Sequence, residues 1–291
     1  MTYRIPFILL LCLLSFVACK GDIEPDKTEN IVVEGWIEDG GFPVVMLTTT
    51  VSLSDEYEGE EELKKHLINW AKVTVSDGTQ EVILTGMYDT LYFPPYIYTT
   101  GAMRGKTGHT YRLKVEYENY VATATTTILP NVKLDSVTVA PCSESDTLYQ
   151  LTAHFADNPD TRDYYLLLLN NGMDYSQPLI SYMGYMDDAV AASNHISIPV
   201  YKEQKLMTNE HYTPYFSKSD TVVVKLAHVN AETFDYWKDI QGSVSFSTSM
   251  FMPVSTNVQS NLSGGIGYWQ GYGISYIPVI VSDYVGIENN D

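Results

Sequence analysis

The sequence predicts an all-β chain arranged as two β-sandwich domains, immunoglobulin-like or transthyretin-like, with one or two short helices. Three observations carry that prediction. Tyrosine is the outlier in composition, 23 of 291 residues against 9 Phe and 4 Trp, and aromatic and β-branched side chains fit a pleated surface. Apolar residues recur in short alternating runs broken by Gly, Asp, Asn and Pro, the pattern of half-buried strands. No helical period and no fixed repeat runs through the body of the chain.

The elements follow in order. Ile31 to Ile37 reads as a strand, turned by Asp39-Gly40-Gly41, with Pro43 to Val51 as its partner. Lys72 to Ser76 and Glu81 to Leu84 flank Asp77-Gly78, and an Asp-Gly pair between alternating runs is a strong hairpin signal. Thr110 to Glu116 and Tyr120 to Ile128 form another hairpin around Glu118-Asn119. Between these strands, Asp55, Glu56, Glu58, Glu60, Glu61 and Glu62 precede Leu63, Leu67 and Trp70, spaced i, i+4, i+7. That spacing predicts a short amphipathic helix over 60–70 with its acids at the favourable N-terminal end. A calcium loop would need alternating ligands and a fixed glycine, which this run lacks.

Pro130 closes a first unit, 31–130, and a second, 131–287, opens with alternating Val132, Leu134, Val137 and Val139. Asp157-Asn158-Pro159-Asp160 is a turn. Tyr164 to Leu169 is apolar on both faces, so it reads as a central strand. Thr221 to His228 is another strand, and Asn230 caps a helix carrying Phe234, Trp237 and Ile240. The tail from Gly264 alternates glycine with aromatics and ends in a closing strand, Ile277 to Val281.

Residues 1–18 read as a signal peptide: Arg4 precedes an apolar stretch from Ile5 to Ala18, which is short for a membrane-spanning helix of roughly 20 residues. Phe16-Val17-Ala18-Cys19 resembles a bacterial lipobox, with Phe where Leu is usual, which implies cleavage before Cys19 and diacylglycerol on its sulfur. The alternative is an ordinary signal peptide cut nearby. Residues 19–30 then form an acidic tether, similar to the surface-export signal of Bacteroidetes lipoproteins. Loss of 1–18 removes Cys12, and lipidation takes Cys19, which leaves Cys142 alone and the fold dependent on its packed core. Cys142 itself reads as a small buried hydrophobe.

The charge excludes one class of function. With 36 acidic residues against 17 basic and a net charge of −19, the chain lacks the basic footprint that nucleic-acid binding requires. No catalytic or metal motif stands out: the six histidines are scattered, and no HExxH, GxSxG, SxxK or P-loop occurs. Asp187-Asp188 could act as a carboxylate pair only from a loop, because strand neighbours point to opposite faces. No cofactor and no metal is expected apart from the lipid on Cys19. Tyrosine is the feature that can carry binding, as a flat apolar face with a polar handle. Tyr88, Tyr92, Tyr96 and Tyr98 gather around Phe93-Pro94-Pro95, and Tyr175, Tyr182 and Tyr185 occupy a second region. The expected working surface joins Tyr92, Tyr96 and Tyr98 to Tyr268, Trp269 and Tyr272. The competing reading is that these rings cover or seal the cores.

The segments IVVEGWIEDGGFPVVMLTTT, AKVTVSDG, GKTGHTYRLKVEYENYVATATT and SNLSGGIGYWQGYG, in that order behind the lipobox, resemble a Bacteroidetes lipoprotein family (domain of unknown function 4249). The resemblance runs from about Ile31 to Val281 and leaves out the acidic segment. It implies an outer-membrane lipoprotein at the cell surface, working beside a TonB-dependent receptor as an accessory that captures a nutrient, such as a glycan or peptide, or partners the transporter. It supplies no catalytic residues. The alternative class is a surface hydrolase of glycans or peptides with a loop-built site.

Overall fold

The computed structural model describes residues 30–50, 64–143, 145–172, 177–191, 193–203, 212–247 and 259–285. The expected signal peptide, Cys19, nearly all of the tether, the acidic run 55–62 and Tyr175 lie outside them. Among the described residues, no helix is long and apolar enough to cross a membrane.

The chain is mostly strand. The first half holds β1 (Ile31–Glu38), β2 (Val44–Thr49), β3 (Lys72–Ser76), β4 (Glu81–Tyr88), β5 (Tyr96–Thr99), β6 (Thr110–Tyr117) and β7 (Tyr120–Thr127). The second holds β8 (Leu134–Cys142), β9 (Ser145–Ala156), β10 (Tyr164–Asn171), β11 (Leu179–Asp187), β12 (His195–Val200), β13 (Phe216–Ser217), β14 (Thr221–Val229) and β15 (Ile266–Ile280). Among the described residues there are also two α-helices, α1 (Ala231–Ser247) and α2 (Val281–Val285), and a 3-10 turn at Asp188–Val190. Local signals acted as their chemistry dictates. Asp77 Oδ1 accepts from the amides of Thr79 and Gln80 at 2.9 Å and so closes the β3–β4 turn. Asn230 Oδ1 accepts from the Thr233 amide at 2.8 Å and caps α1.

The long-range pairing departs from two separate sandwiches. One mixed sheet of 11 strands, ordered β11-β10-β14-β15-β1-β2-β5-β4-β3-β6-β7, runs through both halves, and β12, β9, β13 and β8 form a second sheet of 4. The join is β15. Its first part pairs parallel with β1, from Val32↔Ile266 to Glu38↔Tyr272. Its second part pairs antiparallel with β14, from Thr221↔Ile280 to His228↔Gly273. Beyond β1 the sheet curls until β7 returns beside β15, where Thr123 bridges Ser263. Gly271 permits that approach, since a Cβ there would lie 2.8 Å from Thr127 O.

Three cores result. The curled half encloses Val33, Ile37, Val45, Leu113, Val115 and their neighbours around Trp269. The second half is a two-layer sandwich, with Leu151 and Phe155 of β9 facing Leu167 of β10 and Val224 of β14. A third core lies on the outer face of the shared sheet, where Trp36, Met46, Leu166, Leu168, Tyr272 and Ile274 meet Phe234 of α1. The segment linking the halves is stitched to β15: Leu134 N donates to Ser275 Oγ at 2.7 Å, and Ser275 Oγ donates to Val132 O at 2.6 Å.

The helix expected over 60–70 does not cover its described part. Leu67 bridges Thr48, Thr49 N donates to His66 O at 2.9 Å and Ile68 N to Leu47 O at 3.1 Å. The open edge of β2 thus takes the amides and carbonyls that a helix would have used internally. Ile68 enters the core, and Trp70, placed by helical spacing on the apolar face, is 91% exposed.

Candidate functional site

The six residues expected to form one aromatic surface divide between two faces. On β1, Ile31, Val33, Gly35 and Ile37 point into the curled core, whereas Glu34, Trp36 and Glu38 occupy the opposite face, because successive strand residues alternate. The same alternation on β15 sends Trp269 inward and Tyr268, Gln270 and Tyr272 outward. Trp269 is 0% exposed, donates from Nε1 to Tyr111 O at 3.1 Å and packs against Gly35, where a Cβ would stand 2.9 Å from its ring. Tyr98 is also core: its hydroxyl donates to Ile68 O at 2.8 Å and accepts from Ala71 N at 3.0 Å. Tyr96 packs beside it and donates to Asn69 O at 3.1 Å. Trp269, Tyr96 and Tyr98 therefore anchor the curled half and offer no shared contact surface with the others.

The remaining three, Tyr92, Tyr268 and Tyr272, do converge, on the outer face beneath α1. Tyr268 and Tyr272 are buried, so they too are covered as the fold stands. Tyr268 stacks on Tyr236 of α1, ring centroids 4.4 Å apart, and half-buried Tyr92 stacks on Trp36 at 6.2 Å. Gln270 Oε1 accepts from Trp237 Nε1 at 2.6 Å and from the Tyr272 hydroxyl. Desolvation pushes Tyr92 and Tyr268 up to about 12 and raises Tyr272 well above the ordinary phenol range.

Two acids share this face. Glu38 takes Lys225 Nζ at 3.0 Å from each oxygen, a mostly buried ion pair that ties β14 to β1. Glu34, half-buried, accepts from Gln177 Nε2 at 3.5 Å. Burial pushes its carboxyl up to about 7, against a smaller lowering by that hydrogen bond. Gln177 also grips the 88–95 loop, its amide donating to Leu91 O at 3.3 Å and its Oε1 accepting from Phe93 N at 3.0 Å. The held loop and the end of β4 leading into it present apolar residues to solvent: Leu91 and Phe93 are 49% and 44% exposed, and Met87 and Tyr88 46% and 61%. Neither Glu34 nor Gln177 was named from the sequence. Glu34 lies within the strand expected from Ile31 to Ile37, and the signal that its face is covered was Trp36, two residues on and on the same face.

A second cluster lies at the other end of β10. Asp157, Asp163 and Asp188 each bring a carboxylate oxygen within 4.8 Å of the others, a spacing at which they could share a metal ion. Each already accepts a hydrogen bond: Asp157 from the Tyr165 hydroxyl, Asp188 from Asp163 N at 2.8 Å, and Asp163 faces His228 Nε2 at 3.2 Å. Burial raises Asp188, with the charges of Asp157 and Asp163 adding to it. Asp157 and Asp188 line an open cleft of about 320 Å³ with Thr161, Arg162, Ser193 and Asn194. Asp187 does not join its neighbour there, because Arg162 holds it through Nε at 3.1 Å and Nη2 at 2.5 Å and lowers its pKa.

A family model described as a domain of unknown function (DUF4249) matches residues 20–275. No curated protein matches the chain.

Proposed function

The chain belongs to the DUF4249 family, and from that premise we propose that it is an outer-membrane lipoprotein, anchored through Cys19 at the cell surface, that serves as the accessory partner of a TonB-dependent nutrient receptor. The observation that carries this reading is the segment Met87–Phe93. Leu91 and Phe93 stand half in water on the loop between β4 and β5, which Gln177 clamps, beside exposed Met87 and Tyr88 at the end of β4. Solvent-exposed apolar patches of this kind mark interaction surfaces, and aromatic anchors supply much of the energy when such surfaces are desolvated. The net charge of −19 disfavours polyanionic partners and leaves apolar and aromatic contact as the means of recognition.

The test is an affinity purification from solubilised outer membranes with the parent and with a Leu91→Ser, Phe93→Ser variant. The parent is expected to bring a TonB-dependent barrel with it and the variant to lose it while melting like the parent, since exposed substitutions cost within about 0.5 kcal/mol. A barrel retained by the variant would contradict the assignment of the loop. Anchoring is read separately: Cys19→Ala is expected to abolish fatty-acid labelling, and label kept by the variant would end that part.

A second reading, a surface hydrolase, is favoured by the paired Asp157 and Asp188 in their cleft, since retaining glycosidases place two carboxyls about 5 Å apart. It predicts slow turnover of aryl glycosides that Asp188→Asn abolishes.

A further inference from the structure

Glu34 and Glu38 make a natural contrast. They stand four residues apart on one face of β1, both half-buried, and only Glu38 has a cation, Lys225. Among the described residues no Lys, Arg or His pairs with Glu34, and its one hydrogen bond is the long one from Gln177. Rings surround it instead. Tyr268 is its neighbour across the β1–β15 pair, and Trp36 follows it on the same face with Tyr92 stacked against it. Tyr236 of α1 and Tyr272 lie close enough for the Glu34 charge to raise both phenols.

A carboxylate set among aromatic rings lacks a counter-charge, and ring faces are themselves attractive to cations. A hard metal ion would require several oxygen ligands, which these rings do not supply. We propose that this face binds an organic ammonium ion, with Glu34 as the counter-charge and Tyr92, Trp36 and Tyr236 as the aromatic wall. The bound cation replaces the weak contact with Gln177, so the same residue that grips the Leu91–Phe93 loop reports occupancy. The carboxyl's raised pKa, about 7, makes binding pH-dependent. A cation binds the ionised form and therefore binds tighter above pH 7 than below it. The other titratable groups around this face are Tyr92, Tyr236, Tyr268 and Tyr272, which stay neutral in that range, Glu38, which is paired with Lys225, Glu232 and Asp235 of α1, whose charges act on Tyr268, and Asp89 of the 88–95 loop, whose charge acts on Tyr92.

The inference is read on the purified chain alone, so its outcome is independent of the receptor partnership. Calorimetric titration with choline is compared with 3,3-dimethylbutan-1-ol, its uncharged isostere. Choline is expected to saturate with millimolar or tighter affinity, to bind better at pH 8 than at pH 5 and to lose at least about tenfold in Glu34→Gln. The uncharged isostere is expected not to saturate. Tyr92→Leu, which keeps the carboxylate, should weaken choline several-fold. Equal binding of the isostere, parental affinity in both variants, or no saturable choline binding would each overturn the proposal.

Discussion

The two faces of the β1–β15 pair are built from interleaved residues of the same strands, yet their chemistry is opposite. Inward, Val33, Gly35, Ile37 and Trp269 are wholly enclosed, and the one polar atom of Trp269 has a backbone acceptor in Tyr111. Outward, Glu34, Trp36, Glu38, Gln270 and Tyr272 mix rings, amides and acids beneath α1. A face that only had to be stable would not retain a carboxylate there, because burying a charge without a partner costs several kcal/mol or forces protonation. The inner face is wholly apolar core; the outer face also packs a core against α1 but keeps Glu34 without a cation, at a cost in stability.

The largest expected effect separates the faces at once. Trp269→Ala should cost about 3–5 kcal/mol, by cavity formation and loss of the Tyr111 bond, seen as a lower melting temperature at every pH. Lys225→Ala comes next at about 3 kcal/mol, because it leaves the mostly buried Glu38 without its cation. The smallest is Tyr272→Phe, about 1 kcal/mol, since Gln270 Oε1 keeps its bond from Trp237. If Tyr272→Phe proved as damaging as Trp269→Ala in thermal unfolding, the two faces would be equally structural and the contrast would fail.

Much of the local structure was legible. Asp77-Gly78 and Asn230 act through neighbours a few residues away, so their effect is written in the sequence around them. Some legible strands went unnamed: Leu151, Ala153 and Phe155 of β9, and Ile196, Ile198 and Val200 of β12, both keep the alternation of a half-buried strand. The parallel pairing of β1 with β15 was beyond reach, because alternation says which residues share a face but not which strand lies alongside. The all-β expectation holds, but two separate sandwiches were not resolved for that reason: one sheet of 11 strands runs through both halves. The aromatic surface divided for a related one. Tyr268 and Trp269 are adjacent, so on a strand they must part to opposite faces, and Tyr96 and Tyr98 follow the inward parity of β5. Gln177, which completes the outer face from a distant segment, left no periodic signal to read.

The claim that the outer face is held at a cost is tested most directly by the pH dependence of Glu34→Gln. Folding raises the pKa of Glu34 from 4.5 to about 7, so the folded state keeps a proton that the unfolded state releases. Stability contributed by the neutral acid is intact below 4.5 and is lost as pH rises through 7. Thermal unfolding of parent and variant should therefore coincide near pH 4.5. At pH 8 the variant should be more stable, by roughly 1–2 kcal/mol after allowance for partial exposure. A variant that melts below the parent at pH 8 would mean that the ionised carboxylate stabilises the fold, and the division between the two faces would be wrong.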